Sequence, residues 1–168
     1  MHKLLLSLFS LLFVFSLSAQ EKRASPLMKA SADLDGINIS IQYGQPSKKD
    51  RDIFGSLVPY GKVWRTGANE ASVIEFSEDV VINGTTVKAG KYALFTIPGK
   101  EEWTLILNSV WNQWGAYNYD SSKDVLKTQI SSKSLGEVQE KFTISISKEG
   151  EVSISWDKTS AKFSIKKA

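Results

Sequence analysis

Ile37-Asn38-Ile39-Ser40-Ile41-Gln42-Tyr43 alternates apolar and polar side chains without a break. Successive side chains of a strand point to opposite faces, so a period of two describes a half-buried β-strand. The alternation returns at Val73-Ile74-Glu75-Phe76, Lys91 to Ile97, Glu102 to Asn108, Phe142 to Ser147, Val152 to Trp156 and Ala161 to Ile165. Asp35-Gly36 and Asn83-Gly84 predict two-residue hairpins, because both central positions of a type I′ turn need positive φ. Glu149-Gly150 and Ala89-Gly90 mark further turns. No window keeps a 3.6-residue apolar period for three turns, so helices are confined to short turns. The pattern predicts an all-β fold, a two-sheet antiparallel β-sandwich (jelly-roll-like) of about 8–10 strands. The sandwich is preferred to a barrel because nothing specifies closure. Tyr43, Phe76, Phe95 and Trp156 alternate within strands and are read as core.

The first residues set the expected compartment. His2 and Lys3 precede an apolar run from Leu4 to Phe15, then Ser16-Leu17-Ser18-Ala19, then the polar Gln20-Glu21-Lys22-Arg23. This is the layout of a secretory signal peptide, with cleavage after Ala19, or after Ser18 as the alternative. The run is shorter than the roughly 20 residues of a membrane span. The expectation is an exported protein, periplasmic or secreted, with signal peptide 1–19 and a single domain over 20–168. With no cysteine in the chain, no lipid anchor or disulfide is expected, and the core must carry stability.

Cleavage would also remove His2, the only histidine. A chain without His or Cys lacks Ser-His-Asp and Cys-His machinery and every His- or thiolate-ligated zinc site. Any catalysis would rest on carboxylates, Lys, Tyr, Arg or a hard metal; no cofactor is expected. The 21 basic and 18 acidic residues are interspersed, unlike a nucleic-acid footprint. Lys48-Lys49 and Lys166-Lys167 read as short exposed pairs.

Two segments break the strand pattern, Gln45–Ala71 and Ser109–Asp124, and both are too long for hairpin loops. Within and around them lie IFGSLVPYGKVWRTGANEA (53–71), KAGKYALFTIPG (88–99), WTLILN (103–108) and NQWGAY (112–117) followed by Tyr119. These runs resemble the domain-of-unknown-function 2911 family of exported bacterial proteins, over nearly the whole chain beyond the signal peptide. The resemblance implies a secreted or periplasmic, mostly β domain and carries no activity with it.

Three constellations hold the chemistry. In Trp64-Arg65-Thr66-Gly67-Ala68-Asn69-Glu70, with Arg51 upstream, Arg65 offers a planar fork for a carboxylate, a phosphate or sugar hydroxyls. Asn69 supplies donor and acceptor, and Glu70 an acid, base or ligand. The alternative is a structural tie between Arg65 or Arg51 and Glu70. In Trp111-Asn112-Gln113-Trp114-Gly115-Ala116-Tyr117, aromatic faces interleave with amides, as a saccharide platform requires. The alternative is that a tryptophan plugs the sandwich end. Asn118-x-Asp120-x-Ser122-x-Asp124 begins like a calcium loop, but Lys123 and Gln129 stand where the glycine and bidentate Glu belong. Ser121 with Asp124 reads better as a capping box, so no metal is expected.

The sequence thus predicts a binding module for a small polar or anionic ligand, with a saccharide among the candidates. Arg51, Arg65, Asn69 and Glu70 would make polar contacts, and Trp64, Trp114 and Tyr117 would form walls. The alternatives are a glycosidase-like hydrolase using Glu70, with Asp120 as its partner, and a structural envelope protein without a ligand.

Overall fold

The computed structural model describes residues 23–168. The expected signal peptide lies outside the described residues. Nine strands follow in order: β1 (Leu27–Leu34), β2 (Ile37–Gly44), β3 (Ser72–Phe76), β4 (Val80–Ile82), β5 (Thr85–Val87), β6 (Gly90–Ile97), β7 (Glu102–Asn108), β8 (Asp124–Ile146) and β9 (Glu151–Lys167). The only helical piece among the described residues is a 3-10 turn at Ser121–Lys123. Among the described residues, no helix is long and apolar enough to cross a membrane.

The all-β antiparallel expectation holds, and hydrogen bonding adds a detail that periodicity does not carry. The strands form one continuous sheet in the order β1-β2-β3-β6-β7-β8-β9-β4-β5, not closed into a barrel. The two long strands make this continuity. β8 pairs with β7 through its first third, Asp124 to Ser131, while Ser131 to Ile146 pair with β9, whose C-terminal end pairs with β4. Two register shifts between Ser134 and Thr143 place extra residues on β8, and such bulges bend a strand and increase its twist. The sheet therefore curls: Pro46, just beyond β2, accepts from Phe142 of β8, and Tyr43 meets Phe142 edge-on at 5.5 Å.

Local chemistry explains the hairpins. Asp35 and Gly36 (φ 50° and 87°) join β1 to β2, and Asn83 and Gly84 (φ 48° and 79°) join β4 to β5, as predicted. The middle of β8 gives no such signal. Ser131–Lys141 lacks alternation because much of it is exposed, and pairing with β9 makes it a strand.

The core collects the inward positions of the curled sheet, Ile37, Ile39, Ile41 and Tyr43 of β2 among them. Its centre is aromatic. Trp64 stacks on Trp156 at 6.2 Å and 14°, and meets Phe142 and Trp103 edge-on. β6 and β7 are buried on their outer faces too, where Phe95 and Ile106 pack with Ala71 and Ala93 beneath Ala116 and Tyr119. That second layer is why Tyr92-Ala93-Leu94-Phe95 reads as a continuous apolar run.

Candidate functional site

The segment 64–72 is positioned by backbone hydrogen bonds to three other parts of the chain and by a side-chain bond within itself. Trp64 and Thr96 of β6 exchange backbone bonds of 2.8 and 3.0 Å. Ala68 N–H donates to Gly44 O at the end of β2 (3.2 Å). Ala71 N–H donates to Gln113 O, and Gly115 N–H to Asn69 O. Ser72 Oγ–H closes the turn on Thr66 O at 2.7 Å. The two irregular segments therefore meet directly, through a bridge between Glu70 and Trp114.

This over-determination sustains unusual backbone. Thr66 is fully buried at φ 54°, a conformation that a β-branched residue rarely adopts, and Asn69 sits at φ 65°. The Thr66 hydroxyl shares a 3.0 Å bond with that of Thr96. Lys49 and Asp50, on the facing part of the first segment, also have positive φ. Strain of this kind persists only where surroundings impose it, and it concentrates at functional sites.

Arg51, Trp64, Arg65 and Asn69 line one cavity of about 480 Å³. Lys49 adds a third cation, Leu57, Val58 and Trp156 add apolar surface, and no carboxylate among the described residues contributes to the lining. Arg51 is partly committed, donating from Nε to Lys48 O (2.9 Å) and from Nη2 to Ser47 O. Asn69 Nδ2 donates to Ser25 O at 3.3 Å. The Arg65 guanidinium differs: its Nε is buried, and no described residue accepts from it or pairs with it. Trp64 is core first and cavity floor second, with Nε1–H donating to Gly67 O at 3.2 Å.

Glu70 faces the other way, into a neighbouring cleft of about 820 Å³ that it shares with Arg23, Gln42 and Trp111. The predicted tie to Arg65 or Arg51 is corrected here. Arg23 grips both Glu70 oxygens, at 3.0 and 2.7 Å. These hydrogen bonds outweigh the opposing effect of partial burial and hold the Glu70 carboxyl below the usual carboxylate range. Trp114 and Tyr117, expected as walls, line neither cavity. They are 57% and 83% exposed, and the Tyr117 ring lies against Gly115, where a Cβ would come within 2.9 Å of it.

The third constellation is self-contained. Asp120, not Ser121, caps the 3-10 turn by accepting from Ser122 N–H at 2.9 Å. Asp124 accepts from Asn108 Nδ2 (2.8 Å) and from the Tyr119 hydroxyl (2.6 Å). Among the described residues, no three His, Cys, Asp or Glu side chains cluster to hold a metal ion.

Sequence reasoning missed Arg23, read only as the flank of a signal peptide, and the place in the cavity lining of Lys49, which is exposed as the reading of the Lys48-Lys49 pair expected. Lys48 is in fact partly buried, donating to Arg51 O at 2.6 Å and 3.9 Å from Asp157. The pairing of Lys48 with Arg51 at i, i+3 was the available signal for a built turn.

Neither a curated protein nor a solved structure matches the chain. A family described as "Protein of unknown function (DUF2911)" matches residues 25–165, which takes in every strand but the last two residues of β9, both irregular segments and the lining of both cavities apart from Arg23 and Ala24. The chain is a member of the DUF2911 family.

Proposed function

We propose that this protein is an exported binding module, periplasmic or secreted, for a small anionic ligand held in the cavity over Trp64. One observation carries the reading. The half-buried Arg65 guanidinium has no hydrogen-bond partner or carboxylate among the described residues, and it faces a cavity that, among those residues, is lined by Lys49 and Arg51 but by no acid. A buried cation without a partner is costly, and a ligand carboxylate or phosphate would supply the missing acceptor in bidentate geometry. Export rests on the N-terminal sequence pattern.

Two features weigh against the hydrolase reading. Glycoside hydrolysis needs two carboxylates across a cleft, whereas Glu70 is the single acid among the described residues lining either cavity. Glu70 is also held ionised by Arg23, the opposite of what a general acid at neutral pH requires.

The test is thermal unfolding in inorganic phosphate and in citrate, against sodium chloride at matched ionic strength. A ligand that binds only the folded state raises stability by about 2.7 kcal/mol at a hundred times its Kd. The expected result is a saturable rise in Tm with at least one of these anions that Arg65→Gln abolishes. No rise beyond the chloride control, or a rise unchanged in Arg65→Gln, overturns the reading.

A further inference from the structure

The cleft that contains Glu70 lies back to back with the cationic cavity. Asn69 lines one and Glu70 the other, and the strap Arg23-Ala24-Ser25 runs between them. Its chemistry is different. Among the described residues, Arg23 and Glu70 are the only charged ones lining it, and they neutralise each other. The remaining polar side chains of the lining are the amides of Gln42, Asn112 and Gln113 and the buried Tyr43, whose hydroxyl donates to Ile144 O, and Trp111 forms an aromatic wall.

From this lining we propose that the cleft binds a neutral saccharide, stacked by its C–H face on Trp111. An anion there would meet Glu70 and a cation would meet Arg23, so the balanced pair favours an uncharged ligand. Sugar hydroxyls both donate and accept, which matches side-chain amides and the free lone pairs of a carboxylate already fixed by Arg23. The indole offers the flat apolar surface that the axial C–H groups need. A volume of about 820 Å³ is in the range of small-molecule sites.

The wall is held in place before any ligand arrives. Trp111 is 41% exposed, and Lys91, which does not line the cleft, sets its ammonium 5.4 Å from the indole centroid. Lys91 is in turn 3.6 Å from Glu75. On either side of the ring, Val110 N–H donates to Asn108 Oδ1 (3.0 Å) and Gln113 O accepts from Ala71 N–H (3.0 Å). A fixed platform loses little side-chain freedom on binding.

The experiment is saturation-transfer NMR and tryptophan fluorescence titration with cellohexaose, maltohexaose and laminarihexaose on the chain from Gln20. The expected result is saturation transfer to the ring C–H protons of at least one of the three, with a saturable fluorescence change. Trp111→Ala should weaken that binding by about tenfold or more, as loss of a central aromatic anchor does. Asn112→Ala, on an exposed loop, gives a second and smaller loss should Trp111→Ala not fold. Arg65→Gln should leave saccharide binding intact, which separates this site from the anion cavity. The proposal is overturned if none of the three saccharides binds, or if binding survives both cleft variants.

Discussion

Arg23 closes on Glu70 in a two-point ion pair, 47 residues apart in the chain, and so leaves Arg65 without the carboxylate nearest to it in sequence. Both partners are exposed, at 49% and 40% of their side-chain surface, so solvent screens the pair. Glu70→Gln should leave the midpoint of urea unfolding, followed by tryptophan fluorescence, within error of wild type. The folded carboxyl is held below its ordinary value of 4.5, so whatever stability the pair adds is present above that pH. It is lost as pH falls through the lower, folded value. An NMR titration of the Glu70 side chain should give a midpoint below 4.5 that rises in Arg23→Gln.

Tyr119 should behave in the opposite sense at alkaline pH. Burial first, then its hydrogen bond to Asp124 and the charges of Asp124 and Asp120, push the phenol well above its ordinary value of 10.0. The unfolded chain loses this proton near pH 10 while the folded chain keeps it, so the contribution is complete below that pH and declines above it. Tyr119→Phe should lower stability by about 1–2 kcal/mol at neutral pH, through the lost bond to a carboxylate. Its urea midpoint should also fall less steeply than that of wild type above pH 10.

Gly44 is where β2 touches the strained segment. A Cβ there would lie 2.1 Å from Ala68 O, which is backbone and unable to rotate away. Gly44→Ala should therefore cost about 3 kcal/mol, the upper end of ordinary overpacking. It should also weaken anion binding, because Ala68 and Asn69 line the cavity. Unchanged stability in urea would show that the contact is not as close as described.

The three buried tryptophans should separate in a Phe series. Trp64 and Trp156 donate from Nε1 to Gly67 O and Glu140 O, both at 3.2 Å, whereas Trp103 Nε1 has no acceptor among the described residues. Replacement of Trp64 leaves the buried Gly67 carbonyl short of a partner, at about 1–3 kcal/mol beyond the packing loss, whereas Glu140 O keeps the Lys48 N–H at 2.8 Å when Trp156 is replaced. Trp103→Phe removes an unpaired donor instead, so it should be the least damaging of the three in urea titrations.

The strands and turns were legible because their signals are local. Ile37 to Tyr43 alternates because one face of β2 is buried, and Asp35-Gly36 turns because its two positions need positive φ. The candidate site was legible in part. Arg51, Trp64, Arg65 and Asn69 do line one cavity, because a single irregular segment carries them all. Glu70 departs because β-bridging to Trp114 aims it to the other side, and Trp114 and Tyr117 face solvent.

Residue order and type alone determined the β class, the hairpins, the lack of cysteine and the crowding of special side chains into two segments. Tertiary structure decided which charges meet. Arg23 reaches Glu70 because Gln45 N–H donates to Pro26 O and Asn69 Nδ2 to Ser25 O, which draws the N-terminal strap across the end of β2. Ion pairing depends on a few ångströms of separation between side chains, and a curled sheet sets that distance through register and bulges that no local pattern encodes.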